Sequence, residues 1–182
     1  MTPNTWNLDA SHSTVEFSAK HMMFTTVKGR FADVSGTVVA AGDTPEGATV
    51  EVLMKAASID TRTEQRDAHL RSADFLDAEN FPDITFKSTK VEGAKSKFSL
   101  TGELTIRGTT RPVTLDAAYE GSGVDPWGNE RIGFTASGKI DRREFGLVWN
   151  QALEAGGVLV GTDIKIQIDA QLVKAAQAVA AA

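Results

Sequence analysis

The 182-residue sequence contains no cysteine. That excludes a disulfide framework, an iron–sulfur cluster, a thiol nucleophile and any Cys-ligated zinc. Histidine is scarce: His12, His21 and His69 are too widely spaced for a His-Glu-x-x-His motif or a close metal-binding pair. No stretch approaches the ~20 apolar residues that a membrane span requires. A Gly-x-Ser-x-Gly elbow, a P-loop and a post-strand Gly-x-Gly-x-x-Gly are all missing. Positive charge is in deficit, with 19 Lys+Arg against 24 Asp+Glu and a net charge of −5. This balance argues against a generic nucleic-acid or anionic-membrane binder and leaves room only for local basic patches. The first residues, Met-Thr-Pro-Asn-Thr-Trp-Asn, have neither a basic n-region nor an apolar h-region. The corresponding expectation is a cytoplasmic protein, or a periplasmic or secreted one if the N-terminus has been processed.

What is present is an ordinary globular composition, 41% hydrophobic and 24% charged. A single compact domain of this size buries about 70% of the surface its unfolded chain exposes, enough for a core without staples. The dominant pattern is period-2 alternation in short runs, the mark of half-buried antiparallel strands. Val15, Phe17 and Ala19 form one such face; a second run covers Phe31 to Ala41; Val50, Val52, Met54 and Ala56 form a third. Ile84/Phe86, Phe98 to Ile106, Val113 to Tyr119, Ile132 to Ile140 and Ile164 to Leu172 continue the series, with Trp6/Leu8 and Val158/Val160 as weaker candidates.

Turns are expected at Glu92-Gly93-Ala94-Lys95, at Arg107 to Pro112 and at Asp125-Pro126-Trp127-Gly128-Asn129. The predicted fold is all-β, roughly eight to ten antiparallel strands running up and down, which suits a sandwich or a closed barrel. Residues 1–174 form its single domain and residues 175–182 an Ala-rich tail, read as a helical stub or a frayed end. One segment breaks the alternation. Thr61-Arg62-Thr63-Glu64 has capping-box spacing, so a short helix is predicted over 61–71, outside the sheet or across one end, with Asp67 and Arg71 as an i,i+4 pair.

The inward face repeatedly drops to small residues: Ala19, Ala56, Gly102, Ala117, Ala136 and Gly138. Two readings follow: close-packed partners of bulky neighbours, or the wall of an unfilled apolar lumen, since a barrel of about eight strands can be either packed or hollow. A hollow one selects a long apolar ligand, each buried methylene being worth about 0.8 kcal/mol before ordering costs.

Several stretches, in this order, carry a resemblance: Asp9-Ala10-Ser11-His12-Ser13, Val27-Lys28-Gly29-Arg30-Phe31, Ser58-Ile59-Asp60-Thr61, Arg66-Asp67-Ala68-His69-Leu70 with Asp74-Phe75, Phe81-Pro82-Asp83-Ile84-Thr85-Phe86, Gly102 to Gly108, and Ile140 to Gly146. Together they closely resemble the YceI-like family of polyisoprenoid-binding proteins, from about Trp6 to about Leu172. The resemblance implies a lipocalin-like, extended antiparallel up-and-down barrel of about eight strands, whose lumen holds a long-chain isoprenoid, an isoprenoid quinone or a fatty-acid derivative. It also implies a frequent homodimer, no catalytic activity and no cofactor beyond the bound lipid.

On that basis Phe17, Ala19, Val52, Met54, Phe86, Leu104, Phe134 and Ala136 are the expected lumen lining. Phe24, Phe31, Phe75 and Trp149 are expected to close the ends. His21, Arg30 and Arg66 are the expected head-group contacts at the mouth, with ion pairing to Asp33, Asp60 or Asp67 as the competing role for the two arginines. The alternatives are a lipid-modifying enzyme using His21 as base, and an interaction module that binds protein partners.

Overall fold

A computed structural model describes residues 3–42 and 45–176. Eleven strands are present: β1 (Asn4–Leu8), β2 (Thr14–His21), β3 (Thr25–Phe31), β4 (Val34–Ala40), β5 (Thr49–Lys55), β6 (Ile59–Asp60), β7 (Asp83–Ala94), β8 (Lys97–Ile106), β9 (Thr109–Val124), β10 (Glu130–Asp141) and β11 (Asp163–Lys174). Neighbouring strands follow the order β1-β4-β5-β7-β8-β9-β10-β11, and β1 returns to pair with β11, which closes a ring of eight. Every pairing is antiparallel.

The three short strands outside the ring extend it at one end. β1 and β2 run end to end along one edge of β11, β1 at Leu172–Lys174 and β2 at Lys165–Asp169. A 3-10 turn at Ala10–His12 bends the chain between them. β3 and β4 are joined in the same way through Ala32 and Asp33, and β5 and β6 through a 3-10 turn at Ala56–Ser58. The fold is therefore the expected up-and-down, lipocalin-like barrel.

Local departures from the sequence reading have local causes. β3 escapes the alternation because Gly29 stands at an inward position and reads as a turn residue. In the fold that glycine is required, since a Cβ there would lie 2.4 Å from Cζ of Phe17, its register partner. Val158 and Val160 make only isolated bridges, to Ala152 and His21. The β7–β8 turn falls at Lys95-Ser96, at the end of the expected Glu92-Gly93-Ala94-Lys95 turn, because Gly93 (φ 127°) is absorbed inside β7. The β8–β9 turn is Arg107-Gly108, both with positive φ (48° and 71°), as a tight two-residue hairpin demands.

The helix, α1 (Glu64–Arg71), starts later than predicted, with Thr63 at the N-cap and no side-chain capping bond. Thr61 instead donates to the buried Asp67 from both its backbone N–H (2.8 Å) and its hydroxyl (2.5 Å). Asp67 is thereby committed inward. The expected Asp67–Arg71 pair does not form: Arg71 reaches Glu64 (3.2 Å) and the carbonyl of Ala57 (3.0 Å). The tail beyond residue 176 lies outside the described residues; residues 172–174 belong to β11.

Candidate ligand-binding lumen

The barrel encloses a cavity of about 710 Å3, within the range of small-molecule sites. On β11 its lining runs from Ile164 to Lys174, which at about 3.3 Å per residue and a tilt of about 40° is a depth of roughly 25 Å. Period 2 creates this wall. Ile164, Ile166, Ile168, Ala170 and Leu172 face the lumen, while Lys165 and Gln167 between them do not. Many inward apolar residues, Phe17, Val52, Phe98 and Ile132 among them, are only partly buried and yet line the cavity, so the space in front of them is unfilled by the chain.

Chain direction makes the two ends unlike. The end reached by the C-termini of β8 and β10 is sealed: Phe75 (4% exposed), Leu76, Phe145 (1%) and Leu147 form its floor, with Leu70 of α1 against it. Arg142 is part of this floor. It is 3% exposed and donates to three carbonyls, Leu147 (2.6 Å), Gly161 (2.9 Å) and Val160 (3.2 Å). Its guanidinium stands 5.8 Å from the Phe75 ring, and burial lowers its pKa. The side chain thus pins residues 147–161 across the barrel's base.

The opposite end is open, and its lining reaches Val124, which is 68% exposed. An aromatic series, Phe98, Phe134 and Tyr119, leads to it, with Phe134 5.9 Å from Phe98 and 5.8 Å from Tyr119. Two cations sit on rim aromatics: Lys95 Nζ lies 4.7 Å from the Tyr119 ring, and Lys174 Nζ 5.7 Å from that of Trp6. Lys174 also contacts both Glu130 oxygens at 3.0 Å, whereas Lys95 has no carboxylate partner among the described residues. Below the rim, Arg131 bridges Asp9 (2.6 Å) and Asp125 (2.7 Å) and ties the β1–β2 bend to the β9–β10 turn. Hydrogen bonds from Ser11, then Arg131 and His12, hold Asp9 well below the usual carboxylate range; Asn129 and Arg131 do the same for Asp125.

Of the expected lining, Phe17, Ala19, Val52, Met54, Phe86 and Leu104 all face the cavity, as do Phe134 and Ala136. Phe31 and Phe75 face it too. The remaining five positions do not. By His21 the β2–β3 hairpin has run past the wall; its bridge partner there, Val160, holds the lining position. Phe24 is 73% exposed at the hairpin tip. Trp149 stacks behind the floor, 4.7 Å from His69 and 5.4 Å from Phe75.

Arg30 points outward to Asp60 (3.3 Å), and Arg66 donates to the Thr61 hydroxyl and carbonyl, both at 2.7 Å. All three expected head-group residues therefore stand at the sealed end, and the residues at the actual mouth are Lys95, Tyr119, Lys174 and Trp6. Alternation cannot tell which end of a barrel is open.

The small residues divide between the two readings. Gly102 and Gly138 are packing positions: a Cβ on either would come within 2.5 Å of Phe86 and of Leu115, respectively. Ala19, Ala117 and Ala136 line the cavity, while Ala56 is buried outside it.

Among the described residues no histidine lines the lumen. His12 contacts Asp9 (2.9 Å) and His69 contacts Asp74 (2.9 Å), both outside it. Among the described residues no cluster of His, Asp and Glu could hold a metal ion, and no helix is long and apolar enough to cross a membrane.

Known proteins resemble this chain in sequence and fold. The YceI protein of Escherichia coli O157:H7 is 40% identical over 139 residues, covering 76% of this chain and 73% of that protein. The solved structure of the Campylobacter jejuni YceI protein is 32% identical with a TM-score of 0.74, over 86% of this chain and 90% of the other. A polyisoprenoid binding domain from Saccharophagus degradans shares the fold at 14% identity, with a TM-score of 0.66 over 93% of this chain and 98% of its own. The YceI-like domain model matches residues 6–172, nearly the whole barrel from Trp6 at the mouth to Leu172 in the wall, and the chain belongs to the YceI-like family.

Proposed function

We propose that this protein holds a long-chain apolar ligand, a polyisoprenoid, an isoprenoid quinone or a fatty-acid derivative, without chemically changing it. The observation that carries the proposal is a deep apolar lumen sealed at one end and open at the other. Such a shape takes a chain tail-first. At about 0.8 kcal/mol per buried methylene, a tail of ten or more carbons outweighs several kcal/mol of ordering cost without any strong polar contact. The head group then rests at the rim, where Lys95 over Tyr119 offers an ammonium with no carboxylate partner among the described residues. The family and its shared fold with a polyisoprenoid binding domain support this reading. The enzymatic alternative needs a histidine in the cavity, and His21 lies beyond its wall, outside the lining.

The test is organic extraction and mass spectrometry of protein purified without detergent, followed by titration with added isoprenoids, quinones and fatty acids. A stoichiometric, unmodified long-chain lipid supports the proposal. An empty extract with no uptake overturns it, and a time-dependent product from added lipid overturns the non-catalytic part.

A further inference from the structure

The tip of the β2–β3 hairpin breaks two rules at once. His21 to Phe24 forms a turn closed by the Phe24 N–H on the His21 carbonyl (3.4 Å), and both central residues have positive φ, Met22 at 51° and Met23 at 70°. A turn of that shape calls for Asn-Gly, because a side chain with φ > 0 is strained. Here it carries two methionines. They gain little packing in return: Met22 is 41% exposed, Met23 62% and the following Phe24 73%. Val158, 38% exposed, extends the patch from the neighbouring loop. The tip is also held firmly, with the Met22 N–H on the Leu159 carbonyl (2.8 Å) and Met23 lying over Gly157, where a Cβ would meet the sulfur at 2.1 Å. Strain kept in place to present apolar side chains to solvent marks an interaction element.

The outer face behind the tip identifies what it meets. Lys165 of β11, Ser18 of β2 and Lys28 of β3 are successive register partners in one row, and Lys20 stands between that row and the tip. All three lysines are exposed, and none has a carboxylate partner among the described residues. Two nearby carboxylates are paired elsewhere, Asp60 with Arg30 and Asp163 with Lys139, while Glu16 on the same outer face and Glu154 in the neighbouring loop pair with none of the three lysines. In a chain of net charge −5 this is a local basic patch directly beneath an apolar tip. Apolar side chains at the acyl boundary with lysines at the phosphate level are the arrangement of an interfacial anchor.

We propose that the β2–β3 hairpin docks on an anionic lipid bilayer, with Met22, Met23 and Phe24 entering the interface and Lys20, Lys28 and Lys165 facing the phosphates. The hairpin lies at the sealed end, so docking leaves the mouth facing away from that bilayer. The inference is independent of what fills the lumen.

The test is co-sedimentation of the full chain with vesicles of phosphatidylcholine alone and of phosphatidylcholine with phosphatidylglycerol, at low and high salt. Binding is expected only to the anionic vesicles, weakening as salt rises. Met22→Asn with Met23→Gly supplies the residues the turn prefers, so its Tm is expected to hold or rise while partitioning falls about tenfold or more. Each of Lys20→Gln, Lys28→Gln and Lys165→Gln is expected to lower it roughly fivefold. A Phe24→Trp reporter should shift its emission to the blue on the anionic vesicles. No co-sedimentation at low salt, or unchanged binding by the folded double variant, overturns the proposal. Loss of a concentration-dependent dimer in the double variant, with no vesicle binding by the parent, overturns it in favour of a second copy of the chain.

Discussion

Ala117 and Ala136 are register partners across β9 and β10, and both are buried side chains on the lumen wall. Their smallness keeps the space between β9, β10 and the facing wall open. Ala136→Trp is expected to fill that space and reduce uptake of long-chain lipid at least ~tenfold, with a stability loss of about 1–3 kcal/mol from overpacking. Displacement of a fluorescent fatty acid, read beside circular dichroism, checks both. Unchanged uptake in a folded variant would show that the chain does not pass this point.

A bound lipid and the fold are linked. Because the lumen exists only in the folded barrel, ligand at a hundred times its Kd is expected to add about 2.7 kcal/mol to unfolding. Thermal melts of delipidated and reloaded protein measure this, and Ala136→Trp should abolish the difference.

At the rim, Lys95 has no carboxylate partner among the described residues, while Lys174 is already paired with Glu130. Lys95→Ala is therefore expected to weaken binding of a chain with a phosphate or carboxylate head severalfold and to leave a chain of equal length with a neutral head unaffected. Paired titrations of a fatty acid and its alcohol decide it; equal losses for both would count against a head-group role.

The floor should be less forgiving. Arg142→Met removes the donor to three carbonyls of residues 147–161 and leaves those of Leu147 and Gly161 under cover without it, while Val160 keeps the Asn150 amide. The expected cost is about 3 kcal/mol or more, measured by urea unfolding. Faster amide exchange in residues 147–161 than in β8 and β9 would locate the damage.

Acid should loosen both ends of the barrel. Asp9 and Asp125 titrate in the fold below their unfolded value of about 3.9, and Arg143 lowers Asp141 to about 2. Groups whose folded pKa is depressed contribute stability that is complete above the unfolded value and is lost as pH falls through the folded one. Stability is thus expected to be flat with respect to these groups above about pH 5 and to decline steadily below pH 4. Arg131→Gln should lower stability at neutral pH and flatten that decline without removing it, since Ser11 and Asn129 still hold the two carboxylates. Urea midpoints from pH 2 to 7 provide the readout.

Much of the barrel was legible in the sequence because a strand's pattern is local. Alternation through Ile132, Phe134 and Ala136, or through Ile164, Ile166 and Ile168, names an inward face whatever else the chain does. The hairpins at Arg107-Gly108 and Asp125 to Asn129 are equally local, since their residues supply the backbone conformations themselves. Gly29 shows the limit. Alone it reads as a break, and only the Phe17 ring lying across it from the next strand makes it part of β3.

The sequence by itself determined the class of fold and the alternating apolar wall, because both are written in local period-2 patterns. Tertiary structure decided which small residues are filled and which are empty, because a glycine's neighbours come from other strands. It also decided which end opens. That follows from a ring closed by β1 on β11, from opposite ends of the chain, and from the folding of residues 142–162 and α1 across one end only. His21, Arg30 and Arg66 therefore became sealed-end residues, and Lys95, whose surroundings are made entirely by long-range pairing, became the cation at the mouth.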